Sequence, residues 1–597
     1  MKYQNTWDLE AIFAGGTRSE DLQKKVKSVE VEVGEFKDLL DAWNPEDNSP
    51  EPLKALLDKL DSIEKGLIQG YAFVRMSLDA NTKDDYGPVV LGQIMMIKTA
   101  LDNYQTVFIK KMVAVEDRLW ADLLEDPTLK EVAFALNEAR DQGKRLLSEE
   151  EEKIINELNR DGITGWSQIY DTVVSTMTIP FTGKDGTTVE YSVGQAMNRM
   201  YGDPDPEVRR QLFENWEKAW EKNAPIFADI LNHLSGYRLT LQKLHNREHY
   251  LEEPLEINRM SKETLDAMWS AVAKSKEPFI RFLEQKAKVL GMDKLGWQDV
   301  DAPIAFGGVE PSRYDYDEAC DFVLQNFATF GPKLEAFARN ALENRWVEAE
   351  DRPNKRPGGY CMGLPELKES RIFMTYTGSS SDVSTLAHEL GHAFHSYVLK
   401  DAPFLNQNYA MNVAETASTF AELIVSDATV RAAKSREEKA ILLNTKMENA
   451  IAMFMNIHAR FLFETAFYDE RVQGVVSTKR ISELMENAQK EAYCDMLGSY
   501  HPHFWCSKLH FYIAGVPFYN FPYTFGFLFS LGLYAEYLKN PEGFEDKYIA
   551  LLQDTGKMKV EDLAAKHLGV DLTKEDFWLN GINLLEKDVE EFIELTK

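Results

Sequence analysis

His388-Glu389-Leu390-Gly391-His392 is an H-E-x-x-H motif, and it lies in a stretch with the apolar periodicity of an amphipathic helix. Histidines four residues apart on a helix project from one face, so both imidazoles can reach a single metal ion. Glu389 projects about 100° from His388, where its carboxylate can hold a water that the metal activates. The motif therefore predicts two metal ligands and a general base on one helix.

The residues around the motif support this helix. Residues 379–382 are Ser-Ser-Ser-Asp, a run rich in side chains that cap helix N-termini. An apolar stripe then follows at helical spacing: Val383, Ala387, Leu390, Phe394 and Val398. The same spacing places His388, His392 and His395 on the opposite side, facing a cleft. Upstream, residues 371–377 predict a strand whose edge could pair with an extended peptide.

A catalytic zinc usually has three protein ligands and one open position, so the motif needs a partner. The metzincin spacing would require Gly at 395 and His at 398, but the chain has His395 and Val398. One helix cannot easily supply three ligands to a tetrahedral ion, and His395 follows His392 by only three residues. We therefore expect His395 to line the cleft or to support a ligand.

A carboxylate on a second helix is the better candidate for the third ligand. Residues 412–426 predict this helix, with Glu415 and Glu422 sharing one face. A solvated polar face is the ordinary explanation of such a stripe. However, the segment lies between two apolar regions and follows the motif helix by a short loop. We favour Glu415 as the ligand and Glu422 as a group that orients a histidine; the reverse order is the alternative.

Composition excludes several classes of protein. The chain has 597 residues, 44% hydrophobic and 27% charged, as in soluble globular proteins with more than one domain. Its formal net charge of −30 argues against nucleic acids and anionic membrane surfaces as partners. The four cysteines show no C-x-x-C pair, so we expect neither a disulfide framework nor a cysteine zinc site.

The sequence predicts a mostly helical, cytoplasmic protein. Residues 1–8 lack the apolar segment of a secretory signal, and the apolar window 515–534 is interrupted by prolines. One β-hairpin is expected at residues 172–191, with its turn at Gly183-Lys184-Asp185-Gly186. A helix is expected to start at Asp205-Pro206, with Leu212, Phe213, Trp216 and Trp220 as its apolar side. We place an N-terminal helical region at residues 1–195 and a catalytic region at residues 196–597.

Two stretches resemble the thimet oligopeptidase and oligoendopeptidase F family of zinc peptidases. Residues 382–395, around the motif, are similar to its catalytic segment, and residues 413–418 are similar to its third-ligand segment. The opening at residues 6–9 and the helix after Asp205-Pro206 also resemble the oligoendopeptidase F branch. The resemblance covers nearly the whole chain.

The resemblance implies a fold, a cofactor and a substrate class. It implies one Zn²⁺ per chain, held by His388, His392 and Glu415, with Glu389 as the general base. The implied fold is a large helical bowl or clamshell that encloses a deep substrate channel, with a small β-sheet beside the motif helix. The implied substrates are short peptides, and the oligomeric state is unknown.

The family also places a histidine and tyrosines from the C-terminal part over the metal. The matching residues here are His510, Tyr519 and Tyr523. A fixed tyrosine O–H can stabilise the oxyanion that forms when a peptide bond is attacked. The ordinary explanation is that most rings in the aromatic stretch 504–537 belong to the core.

The expected function is hydrolysis of internal peptide bonds by an activated water. The alternative enzyme is a zinc exopeptidase of the dipeptidyl carboxypeptidase or carboxypeptidase type. That enzyme needs a cationic group to capture the substrate C-terminus, and the sequence does not locate one. A peptide-binding protein without activity is the third hypothesis, although every position that the chemistry needs is intact.

Overall fold

A computed structural model describes residues 2–309 and 312–597 of the chain. Helices hold 69% of the residues, so the prediction of a mostly helical fold is confirmed. The first compact unit consists of Met1–Leu146, Ser312–Ala428 and Glu536–Gly569, and the second consists of Leu147–Pro311, Thr429–Ala535 and Val570–Lys597. Both units therefore combine distant parts of the sequence, and the division at residues 195 and 196 stays a prediction.

The α-helices of the described residues follow in chain order. They are α1 Glu20–Ala42, α2 Glu51–Ala80, α3 Gly87–Ala114, α4 Asp117–Leu123, α5 Pro127–Glu131, α6 Ala133–Gly143, α7 Glu149–Asn159, α8 Ile163–Thr176, α9 Val193–Gly202, α10 Pro206–Leu244, α11 Glu252–Ile257, α12 Lys262–Lys274, α13 Glu277–Val289, α14 Tyr316–Phe330, α15 Pro332–Glu343, α16 Ser380–Leu399, α17 Phe404–Gln407, α18 Met411–Arg431, α19 Arg436–Ile451, α20 Ile457–Arg471, α21 Thr478–Ala492, α22 Phe504–Ser507, α23 Phe521–Lys539, α24 Phe544–Asp554, α25 Val560–Leu568 and α26 Glu575–Thr596.

The strands form two small sheets. They are β1 Thr178–Thr182, β2 Thr188–Ser192, β3 Val347–Glu348, β4 Tyr360–Leu364 and β5 Glu369–Phe373. β1 and β2 pair antiparallel as a hairpin, with Thr182 opposite Thr188. The other sheet has the order β3-β5-β4, in which β5 runs parallel to β3 and antiparallel to β4.

The hairpin is found at the predicted turn, but the predicted β run began too early. Residues 172–176 are the end of α8 rather than strand. The hydroxyl of Thr172 donates to the Gln168 carbonyl, and that of Thr176 donates to the Val173 carbonyl. These bonds to preceding carbonyls satisfy the hydroxyls within a helix, so the β-forming composition of the segment does not decide its structure.

The strand predicted at residues 371–377 is β5, and it ends at Phe373. Beyond it, the backbone N–H of Thr377 donates to the Asp382 carboxylate at 2.9 Å. The N–H of Ser379 donates to the same oxygen at 3.0 Å. The start of α16 thus takes up the N–H groups of Thr377 and Ser379, whereas those of Met374 and Tyr376 still donate to the carbonyls of Glu348 and Ala349.

In the first unit, α1, α2 and α3 share a core. α1 buries an apolar stripe at helical spacing: Leu22, Val26, Val29, Val33, Phe36 and Leu40. Trp7 lies buried beside the second sheet, with its ring 5.6 Å from that of Phe373 on β5. β4 and β5 pack against α16, so the small sheet predicted beside the motif helix is confirmed.

In the second unit, the 39-residue helix α10 is the longest element of the described chain. Asp205 caps its start, as the sequence predicted, by accepting the N–H of Glu207 at 3.0 Å. The predicted apolar side is buried: Leu212, Phe213, Trp216 and Trp220. In the described chain, no helix combines the length and the apolar character that a membrane crossing requires.

A buried ion pair fixes the start of α10. The guanidinium of Arg209 donates to the Asp299 carboxylate at 2.9 Å, and both side chains are almost completely buried. Asp299 also accepts from the Gly296 N–H at 3.0 Å and from the Gln298 amide at 2.8 Å. The neighbouring Arg210, in contrast, forms exposed pairs with glutamates on α10 itself.

We therefore expect Asp299→Asn to lower the free energy of unfolding by about 3–5 kcal/mol, because it leaves a buried guanidinium without its counter-charge. Urea titration followed by circular dichroism measures the loss. Arg210→Met is the matched control and should change stability little, because its pairs are screened by solvent. Equal stability of the Asp299→Asn variant and the wild type would show that the pair does not hold this helix.

Candidate metal centre

The start of α16 is fixed by reciprocal side-chain caps. The Ser379 hydroxyl accepts the N–H of Asp382 at 3.1 Å, and the Asp382 carboxylate accepts the N–H of Ser379 at 3.0 Å. This capping box satisfies N–H groups that the first turn of a helix leaves free. The predicted cap is thus confirmed, and it sets the rotation of the helix that carries the motif.

The motif histidines meet Glu415 of α18 at one point. His388 Nε2 lies 3.3 Å from Glu415 Oε2, and His392 Nε2 lies 3.5 Å from the same oxygen. The three donor atoms lie within 4.8 Å of one another, and the three side chains are half-buried. In the described residues, this is the one group of three or more His, Cys, Asp or Glu side chains that could hold a metal ion.

The spacing of the donor atoms suits a zinc ion. Zinc bonds to imidazole nitrogen and carboxylate oxygen are about 2.1 Å long, so neighbouring ligands in a tetrahedron are about 3.4 Å apart. The measured distances of 3.3 and 3.5 Å match that separation. Two imidazoles and one carboxylate are also a ligand set of catalytic zinc sites, which leave a fourth position open. The residues present therefore fit the metal that the sequence implies.

Gly391 allows the two helices to approach this closely. A Cβ atom at Gly391 would lie 2.5 Å from the carbonyl oxygen of Ala417 and 2.6 Å from the Cα of Ser418. Both atoms belong to the backbone of α18, so no side-chain rotation could relieve the contact. The residue between the two histidines thus determines how near Glu415 comes to them, a role that the sequence reading missed.

Glu422 lies one hydrogen bond behind the first histidine. Its carboxylate is 3.1 Å from His388 Nδ1, and this acceptor would hold a proton on Nδ1 when Nε2 binds a metal. The Ser418 hydroxyl donates to Glu415 Oε2 at 2.9 Å and orients that carboxylate. The structure therefore favours the predicted order, in which Glu415 is the ligand and Glu422 orients His388.

The carboxylates of Glu415 and Glu422 favour a positive charge on the neighbouring His388. Burial alone would lower the pKa of His388, but the hydrogen bonds with Glu415 and Glu422 raise it to about 10. Burial would raise the pKa of Glu415, but the hydrogen bonds with His388 and His392 lower it well below its ordinary range. The two carboxylates thus stabilise a proton on His388, and a divalent cation would meet the same field.

Glu389 has a buried carboxylate oxygen without a hydrogen-bond partner in the described structure. The side chain is 6% exposed, and its Oε2 has no hydrogen-bond partner in the described structure. Its Oε1 faces Gly359, where an added Cβ would lie 3.4 Å away. Burial raises the pKa of Glu389. A buried oxygen without a protein partner remains available to a water, which is what a general base requires.

His395 does not line the cleft, so that part of the expectation was wrong, and its support of a metal ligand stays a prediction. Its ring is fully buried and stacks on Tyr409, with the ring centres 4.1 Å apart. Its Nε2 lies 2.9 Å from the Thr555 hydroxyl, and burial lowers its pKa to about 3. A helical projection assigns His395 to the ligand face, but α24 packs there and covers it.

The strand that can meet a peptide is β4, because β5 lies in the centre of its sheet. The expectation that the edge of residues 371–377 is open was therefore wrong. On β5, Ile372 donates its N–H towards β3, to the carbonyl of Trp346. Cys361 of β4 stands opposite Ile372, so its backbone groups point to the outer edge, as do those of Gly363 two residues later.

The predicted C-terminal residues form a group of their own in the second unit. The ring centres of His510 and Tyr519 are 5.4 Å apart, and those of Tyr519 and Tyr523 are 5.6 Å apart. His510 and Tyr523 are separated by 6.0 Å. The structure thus brings these three residues together, as it does the metal-binding group in the first unit. Their approach to the metal stays a prediction.

A helix with two motif histidines that meet a carboxylate from a later helix defines a metal-dependent hydrolase. The sequence model of peptidase family M3 matches residues 199–584, and that of oligopeptidase F matches residues 111–179. Because the first match covers more than half of the chain, the protein belongs to peptidase family M3. It is a peptidase of the metalloendopeptidase class, and the resemblance seen in the sequence is confirmed.

Relatives extend over the whole chain. An oligoendopeptidase F homolog of Borreliella burgdorferi is 24% identical, over 98% of this chain and 97% of its own length. The oligopeptidase PepF of Bacillus subtilis is 23% identical, over 100% of this chain and 88% of its own length.

Solved structures share the fold. Oligoendopeptidase F from Enterococcus faecium superposes with a TM-score of 0.70 at 18% identity, covering 96% of this chain and 99% of its own. The structure of PZ peptidase A with an inhibitor gives a TM-score of 0.73 at 15% identity, covering 96% and 97%.

Removing either glutamate tests the assignment of the third ligand. We expect Glu415→Ala to abolish stoichiometric zinc binding, and Glu422→Ala to retain zinc with an affinity about 10- to 100-fold weaker. Mass spectrometry of the metal content and chelator competition measure both. Glu343→Ala, at an exposed position on α15, is the control. Loss of zinc from the Glu422→Ala protein but not from Glu415→Ala would reverse the assignment.

The helix crossing can be tested at Gly391. Gly391→Ala should destabilise the fold by on the order of 1–3 kcal/mol and weaken zinc binding, because the new Cβ forces α18 away. Gly92→Ala is the matched control on α3, where a Cβ meets nothing within 4 Å and helix propensity rises. If the two substitutions have equal effects on the thermal midpoint and on zinc affinity, the close crossing is not what holds Glu415.

Proposed function

We propose that the protein is a zinc-dependent endopeptidase that hydrolyses internal bonds of short peptides. One zinc ion per chain would be held by His388, His392 and Glu415. The observation that carries this proposal is the meeting of both Nε2 atoms with one oxygen of Glu415, at 3.3 and 3.5 Å. The names of the relatives, oligoendopeptidase F and oligopeptidase, support short peptides as substrates.

Proton transfer would be the task of Glu389. When bound, zinc supplies Lewis acidity, which makes a nearby water acidic enough to lose a proton near neutral pH. Glu389 would accept that proton as the water attacks the scissile carbonyl, and would then deliver it to the departing amine. The raised pKa of its buried carboxyl suits both steps, because the acid must form and then release its proton.

The outer edge of β4 would align the peptide. Backbone N–H and C=O groups of Cys361 and Gly363 can pair with an extended substrate as a further antiparallel strand. Backbone pairing binds peptides of many sequences, since it does not depend on their side chains. Gly359 directly precedes this strand and lies beside Glu389, so a peptide on the edge would pass near the general base.

The C-terminal group would stabilise the oxyanion. This part of the proposal rests on the family resemblance and on the contacts among His510, Tyr519 and Tyr523. A tyrosine hydroxyl in a fixed position donates a hydrogen bond to the oxygen that becomes negative in the transition state. The cytoplasmic location and the enclosing channel stay predictions of the sequence.

Replacement of the general base gives the direct test. With a fluorogenic peptide blocked at both ends, Glu389→Gln should lower kcat by about 10²- to 10⁴-fold, because the amide cannot accept the proton. The variant should keep its zinc, since Glu389 is not a ligand. A chelator should abolish wild-type cleavage, and Glu343→Gln should behave as the wild type.

Three results would contradict the proposal. Undiminished cleavage by Glu389→Gln would remove this residue from the mechanism. Cleavage of unblocked but not of end-blocked peptides would indicate that the protein is a zinc exopeptidase. Peptide binding by the zinc-loaded wild type without any cleavage would indicate that the protein binds peptides but is not an enzyme.

A further inference from the structure

Two cations in the second unit lack a carboxylate partner. Arg460 lies on α20, and Lys508 follows α22; no carboxylate of the described residues lies within ion-pair distance of either group. Both face the ring of Phe504, with the guanidinium carbon 5.4 Å and the ammonium nitrogen 5.0 Å from its centre. Arg460 Nη1 donates to the Asn520 side-chain oxygen at 3.1 Å, but its Nε has no partner.

This arrangement is unusual in so acidic a chain. Aspartate and glutamate outnumber lysine and arginine by 97 to 67, so acidic partners are plentiful. The fully buried Arg209 and Lys286 of the same unit each have one, in Asp299 and Glu448. A cation withdrawn from water without a counter-charge costs free energy. Burial, together with the nearby charge of Arg460, lowers the pKa of Lys508 to about 7.

The acids that face the pair act only from a distance. Asp301 interacts electrostatically with both cations, but this carboxylate is exposed to solvent and lies beyond ion-pair distance of either. Glu464 interacts with Arg460, but burial raises its pKa to about 7, and its carboxylate accepts a bond from the Asn520 amide at 3.3 Å. Neither acid therefore forms an ion pair with the two cations, and the raised pKa of Glu464 leaves part of this carboxyl protonated near neutral pH.

The pair borders the group of His510, Tyr519 and Tyr523. Asn520, which Arg460 contacts, lies in the chain between the two tyrosines. Burial lowers the pKa of His510 to about 4, and the nearby charges of Arg460 and Lys508 act in the same direction. The three aromatic side chains and the two cations are all half-buried, so each of the five retains contact with solvent. A ligand that meets the tyrosines would therefore find two cations beside them.

We propose that Arg460 and Lys508 bind a carboxylate of the peptide substrate, either its C-terminal carboxylate or an acidic side chain. The proposal rests on the function proposed above, because it takes the tyrosine group to face the substrate. Arginine binds carboxylates with two parallel N–H bonds, and lysine adds a compact charge. The guanidinium of Arg460 and the side-chain nitrogen of Lys508 would be the donors to such a carboxylate, whose negative charge would also favour the protonated form of Lys508.

Two matched pairs of quenched fluorescent peptides test the site with the zinc-loaded full chain. One pair differs only in a free or amidated C-terminus, and the other carries Glu or Gln at one internal position. In the wild type, we expect one of the two carboxylate peptides to have a kcat/KM about tenfold or more above its neutral match, mainly through KM. The pair that shows the preference identifies which carboxylate binds.

Arg460→Gln and Lys508→Gln should each bring that ratio close to one, and Arg460→Lys should restore part of it. Lys222→Gln, at an exposed position on α10, should leave the ratio at its wild-type value. If Arg460→Gln does not fold, as judged by its thermal midpoint, the kcat/KM ratio of the Lys508→Gln variant tests the proposal. Equal kcat/KM within both wild-type pairs, or a preference that survives in Lys508→Gln, would overturn the proposal.

The carboxylate site can fail or hold independently of catalysis. If no peptide is cleaved, the endopeptidase function fails, and isothermal titration of the zinc-loaded Glu389→Gln protein with the same peptides decides the site. Tighter binding of a carboxylate peptide that Lys508→Gln abolishes would support it, and equal binding would overturn it. A third outcome is that only peptides with a free C-terminus are cleaved and that Lys508→Gln removes this dependence. That outcome would support the carboxylate site and contradict the endopeptidase function.

Discussion

The metal centre depends on the close contact between α16 and α18 at Gly391. A helix can place two histidines on one face without help, but the third ligand must come from another element. Because Gly391 has no side chain, the backbone of Ala417 and Ser418 can pack directly against it. That contact brings the Glu415 carboxylate within 3.5 Å of both imidazoles. The caps at Ser379 and the sheet beside α16 then fix the orientation of the motif helix.

The carboxylates around the two imidazoles have different tasks because their surroundings differ. Glu415 shares its oxygen with both histidines, which lowers its pKa and keeps it ionised. Glu422 is bonded to the outer nitrogen of His388 and sets the tautomer. Glu389 is buried with an unsatisfied oxygen and a raised pKa, so it is suited to take up a proton. One short region of sequence thus provides a ligand, a support and a base.

Sequence alone predicted the elements whose signals are local. The motif helix, its cap, the hairpin turn and the apolar side of α10 follow from periodicity and from capping residues, and the structure confirms each of them. It could not predict contacts made by distant segments: α24 covers His395, and β3 makes β5 a central strand. Arg460 and Lys508 are 48 positions apart and carry no motif, so only the fold shows that both lack a partner. Gly391 was visible in the motif, but its role requires the position of α18.

The central claim is that two imidazoles and one carboxylate from α16 and α18 hold a single zinc ion. X-ray absorption at the zinc edge of the purified, zinc-loaded protein measures this most directly. The account predicts one zinc per chain, with two imidazole nitrogens and only oxygen as the remaining neighbours, all about 2.0–2.2 Å away. A third imidazole, a sulfur neighbour at about 2.3 Å or a second bound zinc would contradict it.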